Sequence, residues 1–187
     1  MNRLRSIVIT VFIAPVLLAG TAADPPGVGN FHPVDDHVYR GAQPTRDGIQ
    51  TLAKLGVRTI IDLRGGKEHS DVEQNLVKAA GMHYVHVPFK GLEAPSDQEI
   101  ATVLTLLNDS TAWPVFVHCR RGADRTGTVI ACYRIAHDHW PNPKALAEAR
   151  INGMSWMEHA MEHYIMGFKP LPDPAAKGAA NPLGVTP

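Results

Sequence analysis

The apolar residues follow two different periods along the chain, and these periods alternate. Continuous β-branched and apolar runs at 57–63 and 115–117 predict strands that are buried on both faces. The segment 83–89 alternates apolar and polar residues and predicts a third strand, and 37–40 predicts a short fourth one. Apolar positions three and four residues apart predict helices over 45–55, 70–80, 96–107, 126–139, 143–151 and 155–166. Strands that alternate with helices predict a single α/β domain in which a small central sheet is flanked by helices.

Three short signals mark where predicted helices begin or end. Thr45 is a typical residue to cap the start of the first helix. The segment Ser96-Asp97-Gln98-Glu99 has the form of a capping box. Gly81 directly follows the second helix and favours its termination. These signals place helix boundaries independently of the apolar period.

Residues 1–23 have the layout of a secretory signal peptide. Arg3 and Arg5 supply a positive start, an apolar run covers 7–19, and small residues place the cleavage point near residues 22–23. The apolar run is shorter than the roughly 20 residues that a membrane-spanning helix needs. We therefore expect a secreted or periplasmic protein without a stable transmembrane segment after cleavage. The alternative is an uncleaved N-terminal anchor.

The remaining chain divides by composition into three parts. Residues 24–36 are rich in Pro and Gly and are expected to form an extended arm. Residues 37–166 contain the predicted strands and helices and form the domain. Residues 167–187 contain five Pro, four Ala and three Gly, which predicts a flexible tail.

Composition and charge exclude several classes of protein. A chain of 187 residues favours one domain with a substantial buried core. Eighteen Lys and Arg balance eighteen Asp and Glu, and removal of residues 1–23 would take away two arginines and no acid. This near-neutrality argues against a nucleic-acid-binding protein, since such proteins carry a marked basic excess. Two cysteines exclude a disulfide scaffold and a four-cysteine zinc site.

The segment that begins at Val115 reads VFVHCRRGADRTG and carries the candidate chemistry. A buried strand delivers Cys119 to a short loop, which Arg125 and a predicted helix follow. The N–H groups of a tight loop and the positive end of a helix dipole form a cradle for an anion, and Gly122 permits the turn. Arg125 can bind two phosphate oxygens at once, and the same positive field favours the thiolate form of Cys119. The pattern therefore predicts a nucleophilic thiolate beside a phosphate site.

This segment resembles the His-Cys-x5-Arg-(Ser/Thr) signature of the cysteine-dependent protein tyrosine and dual-specificity phosphatases. The positions in register are His118, Cys119, Gly122, Arg125, Thr126 and Gly127. Upstream, 38–44 and 60–64 resemble the segments that open the domain and form its second strand in compact atypical dual-specificity phosphatases. The similarity covers about 37–165 and implies an α/β domain with a strand, a phosphate loop and a helix in that order.

The resemblance also implies a role for each residue of the signature. Cys119 would attack phosphorus and form a phosphocysteine, while Arg125 and the loop N–H groups hold the phosphate oxygens. Thr126 would donate a hydrogen bond to the thiolate, and His118 would support the loop. The residues expected to bind substrate are Arg120, Arg121, Gly122, Ala123 and Gly127. No metal or other cofactor is implied, because the loop and the arginine supply the positive charge.

The basic pair Arg120 and Arg121 bears on the substrate. Such a pair resembles the plant-and-fungal type of atypical dual-specificity phosphatase, which includes inositol pyrophosphatases. With His86 and Lys90 it could face a polyanionic ligand, or the two arginines could face solvent. The expected protein is a monomeric phosphatase that acts on phosphotyrosine, phosphoserine or phosphothreonine in proteins. The alternatives are an inositol phosphate or phosphoinositide phosphatase, and a catalytically weak phosphate-binding module.

The general acid is the point at which the sequence departs from the family. In many relatives an aspartate lies on a separate loop before the cysteine. At the same distance before Cys119, this sequence has residues 88–90, which include no carboxylate. Asp124 is one candidate, since an aspartate directly before the arginine also occurs in myotubularin-like and bacterial lipid-phosphatase-like branches. It could instead only orient the loop. Asp97 is a second candidate, although an acid is favoured at a helix start in any case, and Glu93 is a third.

Two features outside the loop have simpler interpretations. His159, Glu162 and His163 match the H-x-x-E-H pattern of one class of zinc peptidase. That site needs a further downstream ligand, and Asp173 is the only acidic or histidine residue that follows. We therefore interpret the two histidines as surface residues of a helix. Cys132 lies too far along its helix to form a disulfide with the loop cysteine and is expected in the core.

Overall fold

The structure is a computed structural model that describes residues 24–68, 71–91 and 93–170. Its strands are β1 (His32–Pro33), β2 (Val38–Ala42), β3 (Thr59–Arg64), β4 (His83–Phe89) and β5 (Val115–Cys119). Its helices are α1 (Arg46–Lys54), α2 (Asp71–Ala79), α3 (Asp97–Leu107), α4 (Asp124–Ala136), α5 (Asn142–Ile151) and α6 (His159–Gly167), and a 3-10 turn covers Gly66–Glu68. The predicted signal peptide at 1–23 and the predicted tail beyond residue 170 lie outside the described residues.

The five strands form one sheet in the order β1-β2-β5-β3-β4. Strands β2, β5, β3 and β4 are parallel, and β1 pairs antiparallel with β2 at one edge. Parallel strands bring their carboxyl ends to the same side of a sheet, where α/β proteins commonly bind ligands. The fold therefore places Cys119, the last residue of the central strand β5, on that side.

Helices cover both faces of the sheet, because successive residues of a strand point to opposite faces. Phe116 of β5 packs in an apolar cluster with α1 and α2, whereas Val117 and Cys119 pack with α3 and α4. Helices α5 and α6 pack against the outer side of α4 through a third cluster. The predicted fold class, a single α/β domain with a small central sheet between helices, is confirmed.

Most predicted element boundaries agree with the structure. Thr45 caps α1, and Ser96 and Glu99 form the capping box of α3. Helix α4 starts two residues earlier than predicted, and α6 starts later because Ser155 takes part in a turn. Strand β1 was not predicted, since a two-residue strand has no period to detect. In the described ranges, no helix is long and apolar enough to cross a membrane.

The segment 24–36, expected as an extended arm, packs against the domain. Val28 is 2% exposed and belongs to the apolar cluster beneath α1. The backbone also holds the segment in place, because the N–H of Ala42 donates to the carbonyl of Gly29 at 2.8 Å and that of Thr45 to Gly27 at 2.9 Å. Turns at 26–27 and 29–30 lead into β1, and they place Asn30 beside the loop after β5.

Candidate active site

The predicted strand, loop and helix meet at one cavity of about 590 Å³. Cys119 ends β5, is 2% exposed and carries a free thiol. Helix α4 begins five residues later, so its N-terminus lies beside the loop 119–125 and adds a positive partial charge there. The described residues that line the cavity are Glu68, Gly91, Cys119, Arg120, Arg121, Asp124, Arg125 and Glu158. The predicted nucleophile and the predicted phosphate-binding arginine are therefore in the same cavity.

Two polar side chains outside the loop fix its carbonyl groups. The guanidinium of Arg40 donates from Nη2 to the carbonyl of Gly122 at 2.6 Å. The amide of Asn30 donates from Nδ2 to the carbonyls of Gly122 at 3.0 Å and Arg121 at 3.2 Å. Burial lowers the pKa of Arg40 to about 10, so this side chain stays positively charged at neutral pH. Side chains from outside the loop therefore hold two of its carbonyl groups.

Gly122 is required at the turn of the loop for two reasons. Its φ of +67° lies in the left-handed region, which a residue with a side chain rarely adopts. A Cβ atom at this position would also collide with the backbone of Gly41 and Ala42 in β2. The prediction that Gly122 permits the turn is therefore confirmed, and the neighbouring strand explains why no other residue fits.

Arg125 is largely buried and is paired with a carboxylate that the sequence analysis did not single out. Its Nη1 lies 2.6 Å from Oε2 of Glu68, which ends the 3-10 turn after β3. Arg120 is more distant, with its Nη1 4.0 Å from Oε1 of the same residue. A carboxylate thus lies against the guanidinium that is expected to bind phosphate.

Asp124 is fully engaged by its neighbours. Its Oδ1 accepts a hydrogen bond from the N–H of Ser155 at 2.9 Å, and its Oδ2 accepts one from the guanidinium of Arg121. The carboxylate therefore ties the loop to the connection between α5 and α6. These contacts correspond to the loop-orienting alternative for Asp124.

The other two candidates for the general acid do not line the cavity. Asp97 is the first residue of α3, and its Oδ1 accepts a hydrogen bond from the hydroxyl of Tyr164 at 2.8 Å. Glu93 pairs with Lys90 at 3.0 Å, and both side chains are well exposed. Neither carboxylate has a described contact with the loop 119–125.

Glu158 is a further cavity residue that the sequence analysis missed. It precedes α6 and lines the same cavity as Cys119 and Arg125. Burial, and after it the charge of Asp124, raises the pKa of Glu158, against the opposing charges of Arg121 and Arg125. The sequence offered no signal for it, since nothing local distinguishes Glu158 from other helix-flanking acids.

The remaining residues of the signature segment, Thr126 with a predicted catalytic role and Ala123 and Gly127 with predicted substrate-binding roles, are placed in different ways. Thr126 is buried, and its hydroxyl has no hydrogen-bond partner among the described residues. Ala123 is buried at the turn into α4. The N–H of Gly127 donates to the carbonyl of Ala123 at 2.6 Å, and its Cα faces Ala149 of α5. Gly127 therefore serves close helix packing, and the structure shows no contact that places it at the cavity.

His118 joins the loop to a buried polar cluster on the α1 and α2 face of the sheet. Its Nε2 lies 2.8 Å from Oε1 of Glu73, whose Oε2 accepts a hydrogen bond from Arg64 at 2.6 Å. Arg64 also donates to both oxygens of Asp62, and Tyr84 donates to Asp62 at 2.6 Å. Burial acts to raise the pKa of Asp62, but Arg64, the charge of His118 and Tyr84 outweigh it and hold that pKa below its usual range. This cluster supports the predicted role of His118 behind the loop.

The same cluster contains the side chains that could hold a cation in the described part of the chain. Asp62, Glu73 and His118 offer ligand atoms within 4.8 Å of one another. The guanidinium of Arg64 already donates to both carboxylates, so the cluster has an internal positive charge. These residues therefore fit an ion-paired support for the loop better than a metal centre.

The H-x-x-E-H segment lies on the surface of α6. His159 and His163 are exposed, and Glu162 accepts a hydrogen bond from Arg150 at 2.8 Å. Cys132 is fully buried in α4, where burial raises the pKa of its thiol. Both interpretations from the sequence, a surface helix and a core cysteine, agree with the structure.

The fold and the loop together define a strand–phosphate loop–helix protein of the cysteine-dependent phosphatase class. A family model described as "DSP-PTPase phosphatase fused to NAD+ Kinase" matches residues 28–166. Because this match covers most of the sequence, the chain belongs to that family of dual-specificity and tyrosine phosphatase domains. The resemblance predicted from the signature is confirmed.

Three similar proteins show the range of names within the family. The phosphatidylglycerophosphate phosphatase PTPMT2 of Arabidopsis thaliana is 32% identical over 56% of this chain and 46% of its own length. The inositol diphosphatase DSP1 of rice is 27% identical over 69% of this chain and 63% of its own length. The structure also resembles a crystal structure of TpbA from Pseudomonas aeruginosa in complex with phosphotyrosine, with a TM-score of 0.65. The sequence identity is 26%, and the match covers 78% of this chain and 87% of the TpbA chain. The chain spans about half the length of the first two curated relatives it matches.

Proposed function

We propose that the chain is a cysteine-dependent phosphatase that hydrolyses phosphate monoesters through a phosphocysteine intermediate. The observation that carries this proposal is the position of Cys119, at the end of the central strand and at the N-terminus of α4, with Arg125 in the same cavity. Loop N–H groups, the helix dipole and a buried arginine are the features that stabilise a thiolate and the charge of a transferring phosphoryl group. Family membership supports the same chemistry.

We assign the steps of this reaction as follows. The Cys119 sulfur attacks phosphorus, and Arg125 exchanges its contact with Glu68 for two phosphate oxygens. The hydroxyl of Thr126 stabilises the sulfur as the phosphocysteine breaks down. His118 and the cluster behind it hold the end of β5, so that the sulfur and the loop N–H groups keep their relative positions.

The substrate class in this proposal is a phosphorylated protein, with phosphotyrosine, phosphoserine or phosphothreonine as the reacting group. The likeness to TpbA, whose structure contains phosphotyrosine, supports it. The alternative is a phosphorylated inositol or lipid headgroup, and the exposed Arg120 and Arg121 at the cavity favour it because they add positive charge for further phosphates. The rice and Arabidopsis relatives named for such substrates support this alternative.

The proposal also includes export and a monomeric state. The charge and apolar pattern of residues 1–23 supports cleavage near residues 22–23 and a secreted or periplasmic location. All of the groups proposed for the reaction come from one chain, so the reaction requires no second subunit.

Hydrolysis of 4-nitrophenyl phosphate with a chelator present tests the function. We expect the chain to be active under these conditions and Cys119→Ser to be inactive. A wild-type chain that binds vanadate but does not turn over would instead indicate the weak phosphate-binding module. A panel of phosphopeptides, phosphoinositides and inositol phosphates then distinguishes the two substrate classes by their kcat/KM values.

A further inference from the structure

Three carboxylates line the cavity, and two of them already have partners. Glu68 is paired with Arg125 at 2.6 Å. Asp124 accepts hydrogen bonds on both oxygens, from the N–H of Ser155 and from Arg121. Both side chains would have to leave a guanidinium before they could give a proton to a leaving group. In the free site, the third carboxylate is therefore the one that has no ion pair to break.

Glu158 is the cavity carboxylate without such a partner. Among the described residues, its side chain makes no hydrogen bond or ion pair. Although Glu158 stands at the start of α6, its carboxylate does not cap that helix, so helix N–H groups do not fix it in the charged form. The side chain is half-buried and belongs to the same cavity as the Cys119 sulfur.

The electrostatic surroundings of Glu158 raise its pKa above the usual value of a carboxyl group. Burial and the negative charge of Asp124 raise its pKa, and they outweigh the opposing effects of Arg121 and Arg125. The charged and titratable groups that share its cavity are Glu68, Cys119, Arg120, Arg121, Asp124 and Arg125. A carboxyl group whose pKa is raised towards neutrality is suited to general acid catalysis.

We propose that Glu158 is the proton donor of the phosphatase reaction, a proposal that rests on the function proposed above. As the Cys119 sulfur forms its bond to phosphorus, the bond from phosphorus to the leaving oxygen breaks. That oxygen takes the proton of the Glu158 carboxyl group and departs as an alcohol or phenol. In the second step the Glu158 carboxylate takes a proton from the water that attacks the phosphocysteine. Inorganic phosphate and the Cys119 thiolate are then released, and the carboxyl group is again protonated.

The decisive measurement is the effect of Glu158→Gln on a series of aryl and alkyl phosphates. A glutamine keeps the size of the side chain but has no proton to transfer. We expect kcat for phenyl phosphate and a phosphotyrosine peptide to fall about 10²–10⁴-fold, the usual contribution of a positioned acid. The activated ester 4-nitrophenyl phosphate should lose much less, because its phenolate departs without a proton. The wild-type decline of kcat at alkaline pH on phenyl phosphate should disappear in the variant.

Glu162→Gln is the matched control, since Glu162 lies on the same helix but pairs with Arg150. It should leave the leaving-group dependence unchanged. Vanadate inhibition shows whether Glu158→Gln retains a folded site. If it does not, Glu158→Asp provides the second variant. We expect it to lose less kcat than the glutamine variant and to retain the decline of kcat at alkaline pH. Glu158 is not the donor if its variants leave the leaving-group dependence at the wild-type value, or if Glu68→Gln, Asp124→Asn or Asp97→Asn alone changes it. An inactive wild-type chain would instead contradict the proposed function itself.

Discussion

The replacement of Gly122 by alanine tests how strictly the loop depends on the neighbouring strand. At φ +67° an alanine costs roughly 1–2 kcal/mol of conformational energy. The added Cβ would in addition lie 2.5 Å from the backbone nitrogen of Ala42, whereas ordinary contact begins at 3.4 Å. The carbonyl carbon and oxygen of Gly41 would lie closer still, so the loop and β2 must move apart by at least about 0.9 Å. A displacement of this size at a reacting centre can cost about 10²-fold in rate.

Gly56→Ala is the matched control for this experiment. Gly56 also has a positive φ, of +85°, but a Cβ there meets no atom within 4 Å. It follows α1 and precedes β3, at the end of the sheet opposite Cys119. Gly56→Ala therefore has the conformational cost of a positive φ but not the collision with a neighbouring strand. We expect this variant to lower Tm by about 2–8 °C and to keep full activity.

Thermal unfolding and 4-nitrophenyl phosphate kinetics on the two variants separate the contributions. Gly122→Ala should lower Tm by more than Gly56→Ala, and it should lower kcat/KM by about 10²-fold and weaken vanadate inhibition. If Gly122→Ala matches the control in both Tm and kcat/KM, the collision with β2 does not shape the loop, and the reasoning fails.

Three further predictions concern the cavity and its support. Cys119→Ser should abolish turnover but keep vanadate binding, whereas Arg125→Ala should lose both. More than a few per cent of wild-type activity in the serine variant would refute the assignment of Cys119 as the nucleophile. Glu68→Gln removes the carboxylate that competes with phosphate for Arg125. The inhibition constant of inorganic phosphate should therefore fall by up to about fivefold, which corresponds to the free energy of a partly exposed ion pair. A rise in this constant would show that Glu68 positions the arginine. The pKa of Asp62 is lower in the folded than in the unfolded chain, so its contribution to the free energy of unfolding is complete above about pH 4 and is lost as the pH falls further. Urea denaturation at about pH 5 and pH 2.5 should therefore show a smaller acid-induced loss in Asp62→Asn than in the wild type, and equal losses would contradict this account.

The sequence by itself determined the elements and the reactive loop, because the signals for both are local. The β-branched run at 57–63 and the capping box at Ser96 each act over a few residues, and both correspond to elements of the structure. Cys119, Gly122 and Arg125 also lie within one short segment, so their spacing alone indicated a phosphate site. A nucleophile and an anion cradle formed by one turn can be recognised without the fold.

Only the tertiary structure decided which residues surround that loop. Glu68, Glu158 and Arg40 come from three different elements, and their sequence neighbours give no sign that they meet. The contacts of a carboxylate depend on its partners in space: Asp124 ties the loop to the connection between α5 and α6 because the N–H of Ser155 reaches it across the fold. Glu158 differs from Asp124 because no described side chain pairs with it and burial raises its pKa. Desolvation and charge pairing act over a few ångströms in space rather than over a few residues in sequence, and for that reason the proton donor could be inferred only from the folded chain.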